Sequence, residues 1–104
     1  MKRLDKAEYQ SRLEELNSLV KKEDYEGALA VVEAVDWRRV KSLRTLGMVA
    51  DVYEANKRYP EAKKILLMAY DRSSIGKGIL YRLVEVSVKM KDFDEAIDFY
   101  NEFE

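Results

Sequence analysis

Tyr25-Glu26-Gly27-Ala28, Tyr59-Pro60-Glu61-Ala62 and Phe93-Asp94-Glu95-Ala96 each place an aromatic residue three positions before an alanine. The aromatics at 25, 59 and 93 are separated by two equal intervals of 34 residues. Further columns align on the same period without a gap. Ten residues past the aromatic stand Val35, Ala69 and Phe103, seven past it Val32, Leu66 and Tyr100, and nine before it Leu16, Ala50 and Val84. All nine are apolar. One such four-residue coincidence carries little in a helical chain, but equal intervals with matching columns on both sides define an internal repeat.

Each repeat reads as two helices. Asp5-Lys6-Ala7-Glu8 has the spacing of a capping box, so a first helix is predicted to start there, carrying Leu13, Leu16, Leu19 and Val20 inward or toward a groove. It should end near Lys22-Glu23-Asp24, and a second helix should open at Tyr25. Glu26, Glu61, Asp94 and Glu95 fall in the first turns of the second helices, where negative charge complements the helix dipole. Pro60 suits a first helical position, where the amide hydrogen it lacks would have no partner. Ser42 and Gly76, again 34 apart, are expected caps for the next two first helices, and Arg72-Ser73-Ser74-Ile75-Gly76 reads as a loop. The junction Val35-Asp36-Trp37-Arg38-Arg39 contains no proline or glycine. Its Trp37 either plugs the joint between the first two repeats or stays partly exposed.

Composition limits what such a chain can do. Its 104 residues suit one small domain, and 47% hydrophobic with 38% charged residues is the balance of a folded helical protein. Nineteen basic against twenty acidic residues give a net charge of -1, which supplies no field for nucleic acid. With no cysteine and no histidine, disulfides, zinc-thiolate sites and Ser-His or Cys-His catalysis are excluded. An enzyme and a bound cofactor are therefore not expected. No apolar run reaches the roughly 18 residues of a membrane-spanning helix, and Met1-Lys2-Arg3-Leu4-Asp5-Lys6 has no apolar segment behind its charges. The expectation is a soluble, cytoplasmic chain with no membrane contact.

Helix pairs with this period, an aromatic at the turn and an alanine three residues on resemble the tetratricopeptide repeat family over nearly the whole chain, from about Tyr9 to Glu104. The resemblance implies an all-α, right-handed solenoid of about six helices in three repeats, approximately 9–42, 43–76 and 77–104, the last incomplete. It also implies that Ala28, Ala62 and Ala96 let the two helices of a repeat approach closely. The chain departs from the family at Leu16 and Val84, where a small residue is usual, and at Val40 and Ser74, where a proline often closes a repeat.

A solenoid of this family offers a concave face lined by its first helices and commonly binds a peptide there. The positions facing that groove are Leu13, Glu14 and Asn17, then Gly47, Met48 and Asp51, then Tyr81, Arg82 and Glu85. Of these, Leu13, Asn17, Met48, Asp51, Tyr81, Arg82 and Glu85 are the candidate contacts. An apolar anchor would enter beside Met48 and Tyr81, with Arg82 and the acids setting its orientation. The opposing reading packs Leu13, Met48 and Tyr81 sideways on neighbouring helices, since small domains expose apolar side chains routinely. Some members of the family clamp a terminal carboxylate of chaperone tails. The corresponding positions are Leu13, Asn17, Met48, Gly78 and Arg82, of which Asn17 and Arg82 alone match, too few donors for that clamp.

Weaker signals have plainer explanations. Ile75-Gly76-Lys77-Gly78 lacks the spacing of a phosphate loop and reads as a turn with a helix start. The basic cluster Arg38-Arg39-Lys41-Arg44 is diluted by Asp36, Asp51 and Glu54. Paired acids such as Glu14-Glu15 and Asp92-Asp94 are numerous enough to single out none. At the end of the chain Ile97, Phe99, Tyr100 and Phe103 include residues that a further repeat would cover, with Ile97, Tyr100 and Phe103 forming the candidate next-repeat or oligomer interface. This leaves two expectations, an excised piece of a longer array or a homo-oligomer paired through its terminal helices.

Overall fold

The computed structural model describes residues 5–38, 40–72 and 77–103. Over these residues the protein is all-helical, with six helices: α1 (Lys6–Lys21), α2 (Tyr25–Glu33), α3 (Leu43–Ala55), α4 (Tyr59–Arg72), α5 (Lys77–Lys89) and α6 (Phe93–Phe103). The chain divides into two compact units, Met1–Arg39 and Val40–Glu104. The first holds α1 packed on α2. In the second, α3 packs on α4, α4 on α5 and α5 on α6.

The three corners joining α1 to α2, α3 to α4 and α5 to α6 have the same construction. Glu23, Lys57 and Lys91 have positive φ, at 60°, 59° and 61°, and stand 34 residues apart. At each corner the amide of that residue donates to the carbonyl three positions earlier, from Glu23 to Val20, Lys57 to Glu54 and Lys91 to Val88, each at 2.9 Å. The next amide donates five positions back, from Asp24 to Leu19 at 2.9 Å, Arg58 to Tyr53 at 2.8 Å and Asp92 to Ser87 at 2.9 Å. This paired arrangement satisfies carbonyls that a helix end leaves without an intrahelical donor. Glycine usually takes the left-handed position, because any other residue there is strained by about 1 kcal/mol or more. None of the three corners has one.

The residue after the left-handed one also begins the second helix. Asp24 accepts the amide of Gly27 on Oδ1 at 3.0 Å, Asp92 accepts that of Glu95 at 3.3 Å, and the carbonyls of Asp24, Arg58 and Asp92 accept Ala28, Ala62 and Ala96, each at 3.0 Å. Those alanines are buried, which fits the close approach of paired helices. Pro60 is the second residue of α4 rather than the first, still within the turn whose amides need no intrahelical acceptor. At the starts of α1 and α3, Asp5 Oδ1 accepts the Glu8 amide at 2.8 Å and Ser42 Oγ accepts the Thr45 amide at 3.2 Å. Gly76 and the loop residues 73–76 lie outside the described residues.

In the first unit the core is Leu16, Ala28, Val31, Val32, Val35 and Trp37, while Leu19 and Val20 are half-buried. Trp37 is buried, with its Nε1 donating to the Val32 carbonyl at 2.8 Å and its ring edge-on to Tyr9 at a centroid distance of 6.2 Å. The indole therefore caps an end carbonyl of α2, and Asp36, which accepts the Arg38 amide at 3.0 Å, supplies the turn that no glycine or proline marks. In the second unit Leu46, Val49, Ala50, Val52, Tyr53, Leu66, Leu83 and Val86 are the main buried apolar residues. Two of the nine aligned positions depart from burial: Val84 is half-buried and Tyr100 is 52% exposed. The Phe103 side chain lies outside the described residues.

Two substitutions test the corner. Arg58 occupies the position of Asp24 and Asp92 but gives α4 no side-chain acceptor, its Nε donating instead to Glu61. Arg58→Asp should supply the missing cap and stabilise the fold by about 1 kcal/mol, seen as a rise of roughly 4–8 °C in thermal midpoint. Lys57→Val should cost about 1–2 kcal/mol in urea denaturation, because a β-branched residue suits positive φ poorly, whereas Lys57→Gly should cost nothing.

Candidate functional site

The second unit brings the first helices of two pairs, α3 and α5, together through one side chain. Arg82 of α5 reaches α3, where its Nη1 donates to the Gly47 carbonyl at 3.2 Å. Its Nη2 donates to Asp51 Oδ1 at 2.6 Å and to Glu54 Oε2 at 3.0 Å. One half-buried guanidinium thus faces two carboxylates and a peptide oxygen, a geometry that its rigid planar fork of donors satisfies.

The position of Gly47 follows from this contact. A glycine inside a helix costs about 1 kcal/mol relative to alanine. A β-carbon at Gly47 would meet only Arg82 Nη1, at 3.4 Å, so helix packing does not demand its absence. Without a side chain at 47, α3 is bare beside the guanidinium.

The candidate contacts read from the sequence are distributed over both units. Leu13, half-buried, and Asn17, exposed, stand on α1 in the first unit. Met48, half-buried, and Asp51, exposed, are on α3, while Tyr81, Arg82 and Glu85 are on α5, with Tyr81 57% exposed and Glu85 exposed. Of these, Asp51 and Arg82 are in direct contact. Glu54 completes the cluster and was not among the residues singled out as contacts. Its spacing of three from Asp51, on the same helical face, was the available signal.

Electrostatics at the face are unequal. Asp51, Glu54 and Glu85 are acids and Arg82 the one base among these four, its guanidinium already engaged by two of the acids. Partial burial pushes the Asp51 carboxyl above its usual range, the nearby Glu54 charge adds to that rise, and Arg82 opposes it. An incoming carboxylate would compete with Asp51 and Glu54 for the same donors.

Other charged clusters are resolved within the chain. Arg38 pairs with Asp36, with Nη2 to Oδ2 at 2.6 Å, and Arg39 lies outside the described residues. Glu15 pairs with Arg12 at 3.1 Å, and Asp92 serves as a helix cap. Among the described residues no group of three or more acids is arranged to hold a metal ion, and no helix is long and apolar enough to cross a membrane. No family model matches the chain, and no curated protein is significantly similar to it.

The raised Asp51 pKa has a definite sign in stability. A carboxyl whose folded pKa lies above its unfolded value contributes most when protonated, and that contribution is lost as pH rises through the folded pKa. Asp51→Asn should therefore gain stability relative to the parent at pH 7 compared with pH 3.5, read as the difference in urea midpoint at the two values.

Proposed function

We propose that the chain is a protein-interaction scaffold, a solenoid of three tetratricopeptide-type helix pairs that binds a peptide or partner protein on the face of its first helices. The recurrence of one corner geometry at residues 23, 57 and 91, on the 34-residue period of the sequence, supports the repeat reading. In the second unit the binding face would comprise Met48, Asp51, Tyr81, Arg82 and Glu85, and in the first unit Leu13 and Asn17 of α1 are the candidate contacts.

The observation that carries the reading is the join between α3 and α5 at Arg82. It fixes two helices side by side with a bare backbone at Gly47 and an aromatic ring, Tyr81, projecting into solvent one residue from the guanidinium. Rigid aromatic anchors on a preorganised surface are what peptide recognition draws on, because little side-chain freedom remains to be lost. The absence of histidine and cysteine supports a binding role over catalysis. Selection of peptides from a displayed random library on the immobilised chain should yield ligands whose affinity falls about tenfold or more with Tyr81→Ala. Lys64→Ala, an exposed change on α4, should leave them unchanged. Ligands indifferent to Tyr81 would refute this site.

A second reading, a structural or self-assembly element using the face of α6, is favoured by one observation. Phe93, Ile97 and Tyr100 are 57%, 58% and 52% exposed and fall on a single helical face.

A further inference from the structure

The same face of α6 differs chemically from the face around Arg82. Phe93, Ile97 and Tyr100 stand 34 residues after Tyr59, Lys63 and Leu66 of α4, so the second unit contains its own covered counterpart of the exposed face. On α4, Leu66 is buried and Tyr59 half-buried. The Lys89 ammonium of α5 lies 5.7 Å from the centre of the Tyr59 ring, and Lys63 pairs with Glu95 of α6. An aromatic at this position of a second helix is thus met by a lysine from the helix packed against it, an attraction that the ring face provides. Phe93 offers the equivalent ring in α6, and Ile97 replaces Lys63, making the exposed face more apolar than its counterpart.

Charge then decides what can cover it. Between Phe93 and Phe103 the helix carries Asp94, Glu95, Asp98 and Glu102 and no lysine or arginine. Glu95 is taken by Lys63 and Glu102 accepts from the Tyr70 hydroxyl at 3.4 Å, but Asp94 and Asp98 are exposed, with no partner among the described residues. They sit one residue on from Phe93 and Ile97, at the edge of the apolar stripe. Two copies meeting α6 to α6 would set these acids against each other, which electrostatic complementarity disfavours.

We propose that the α6 face formed by Phe93, Ile97 and Tyr100, edged by Asp94 and Asp98, docks an amphipathic helix with lysine or arginine beside its apolar stripe, presented by a partner protein. The inference rests on that part of the second reading which makes α6 an interface, with a partner's helix in place of a second copy, and is independent of the face around Arg82. The ligand lays apolar residues at helical spacing over Ile97 and Tyr100 and places one cation over Phe93 and others against Asp94 and Asp98.

The α5 sequence itself provides the probe. A fluorescent peptide of residues 77–89 would be cross-linked between positions 81 and 85, which are exposed in α5, so that a helix too short to be stable alone is held in shape. Titrated with the whole chain and followed by anisotropy, it should saturate at micromolar protein. Ile97→Glu in the chain should weaken binding at least tenfold, Asp98→Lys should weaken it severalfold, and Lys89→Glu in the peptide should do the same, with the loss shrinking as salt is added. These exposed substitutions should leave the helical circular dichroism of the chain unchanged. Saturation that Ile97→Glu does not alter would overturn the proposal. If the peptide fails to bind while sedimentation shows a dimer that Tyr100→Glu dissociates, α6 is an interface for a second copy and the basic-helix proposal falls alone. If the peptide fails and the chain stays monomeric, both fall.

Discussion

The left-handed residue at 23, 57 and 91 turns each helix pair back on itself, and the rest of the structure depends on that turn. It lets two consecutive amides close the end of the first helix while the following residue opens the second. The second helix therefore starts at a fixed rotation, which points its fourth residue, always alanine, at the helix before it. Burial of Ala28, Ala62 and Ala96 is the packing consequence of a backbone event five residues earlier.

Much of this was legible from the sequence because it is local. The starts at Asp5, Tyr25 and Ser42 and the acids in the first turns of the second helices follow from capping chemistry within four residues. The period itself came from the aromatics at 25, 59 and 93, and most of the apolar columns that align on it are buried. The corner was not legible, since Glu23, Lys57 and Lys91 carry none of the glycine signal that positive φ usually leaves. Trp37 was open for a related reason, its burial and its bond to the Val32 carbonyl being set by a chain reversal that no proline or glycine announced.

Of the candidate contacts, Asp51 and Arg82 meet in the structure. A spacing of four put Gly47 and Asp51 on one helical stripe, the family resemblance added Arg82 to the same groove, and the guanidinium does meet the other two. What the sequence did not disclose is that this arginine is occupied from within, by Glu54 as well as Asp51, because that depends on contacts between residues 28 and 31 apart in the chain. The result is a face whose positive group serves mainly to hold α3 beside α5, leaving acids outward. The α6 face is likewise acidic at its edge, so in each of these surfaces the chain presents apolar groups among negative charge.

The repeated corner also bears on how fast and in what pieces the chain acquires its shape. Every hydrogen bond that closes a corner spans five residues or fewer, and each joins helices adjacent in sequence, so a helix pair forms by searching a short loop rather than a long one. Chains dominated by such local contacts fold quickly, on a scale of about microseconds to milliseconds. The pair in the first unit stands by its own corner, whereas the two pairs of the second unit are tied through Arg82, Lys63 and Tyr70, so amide exchange should report the last two corners as one event and the first as another.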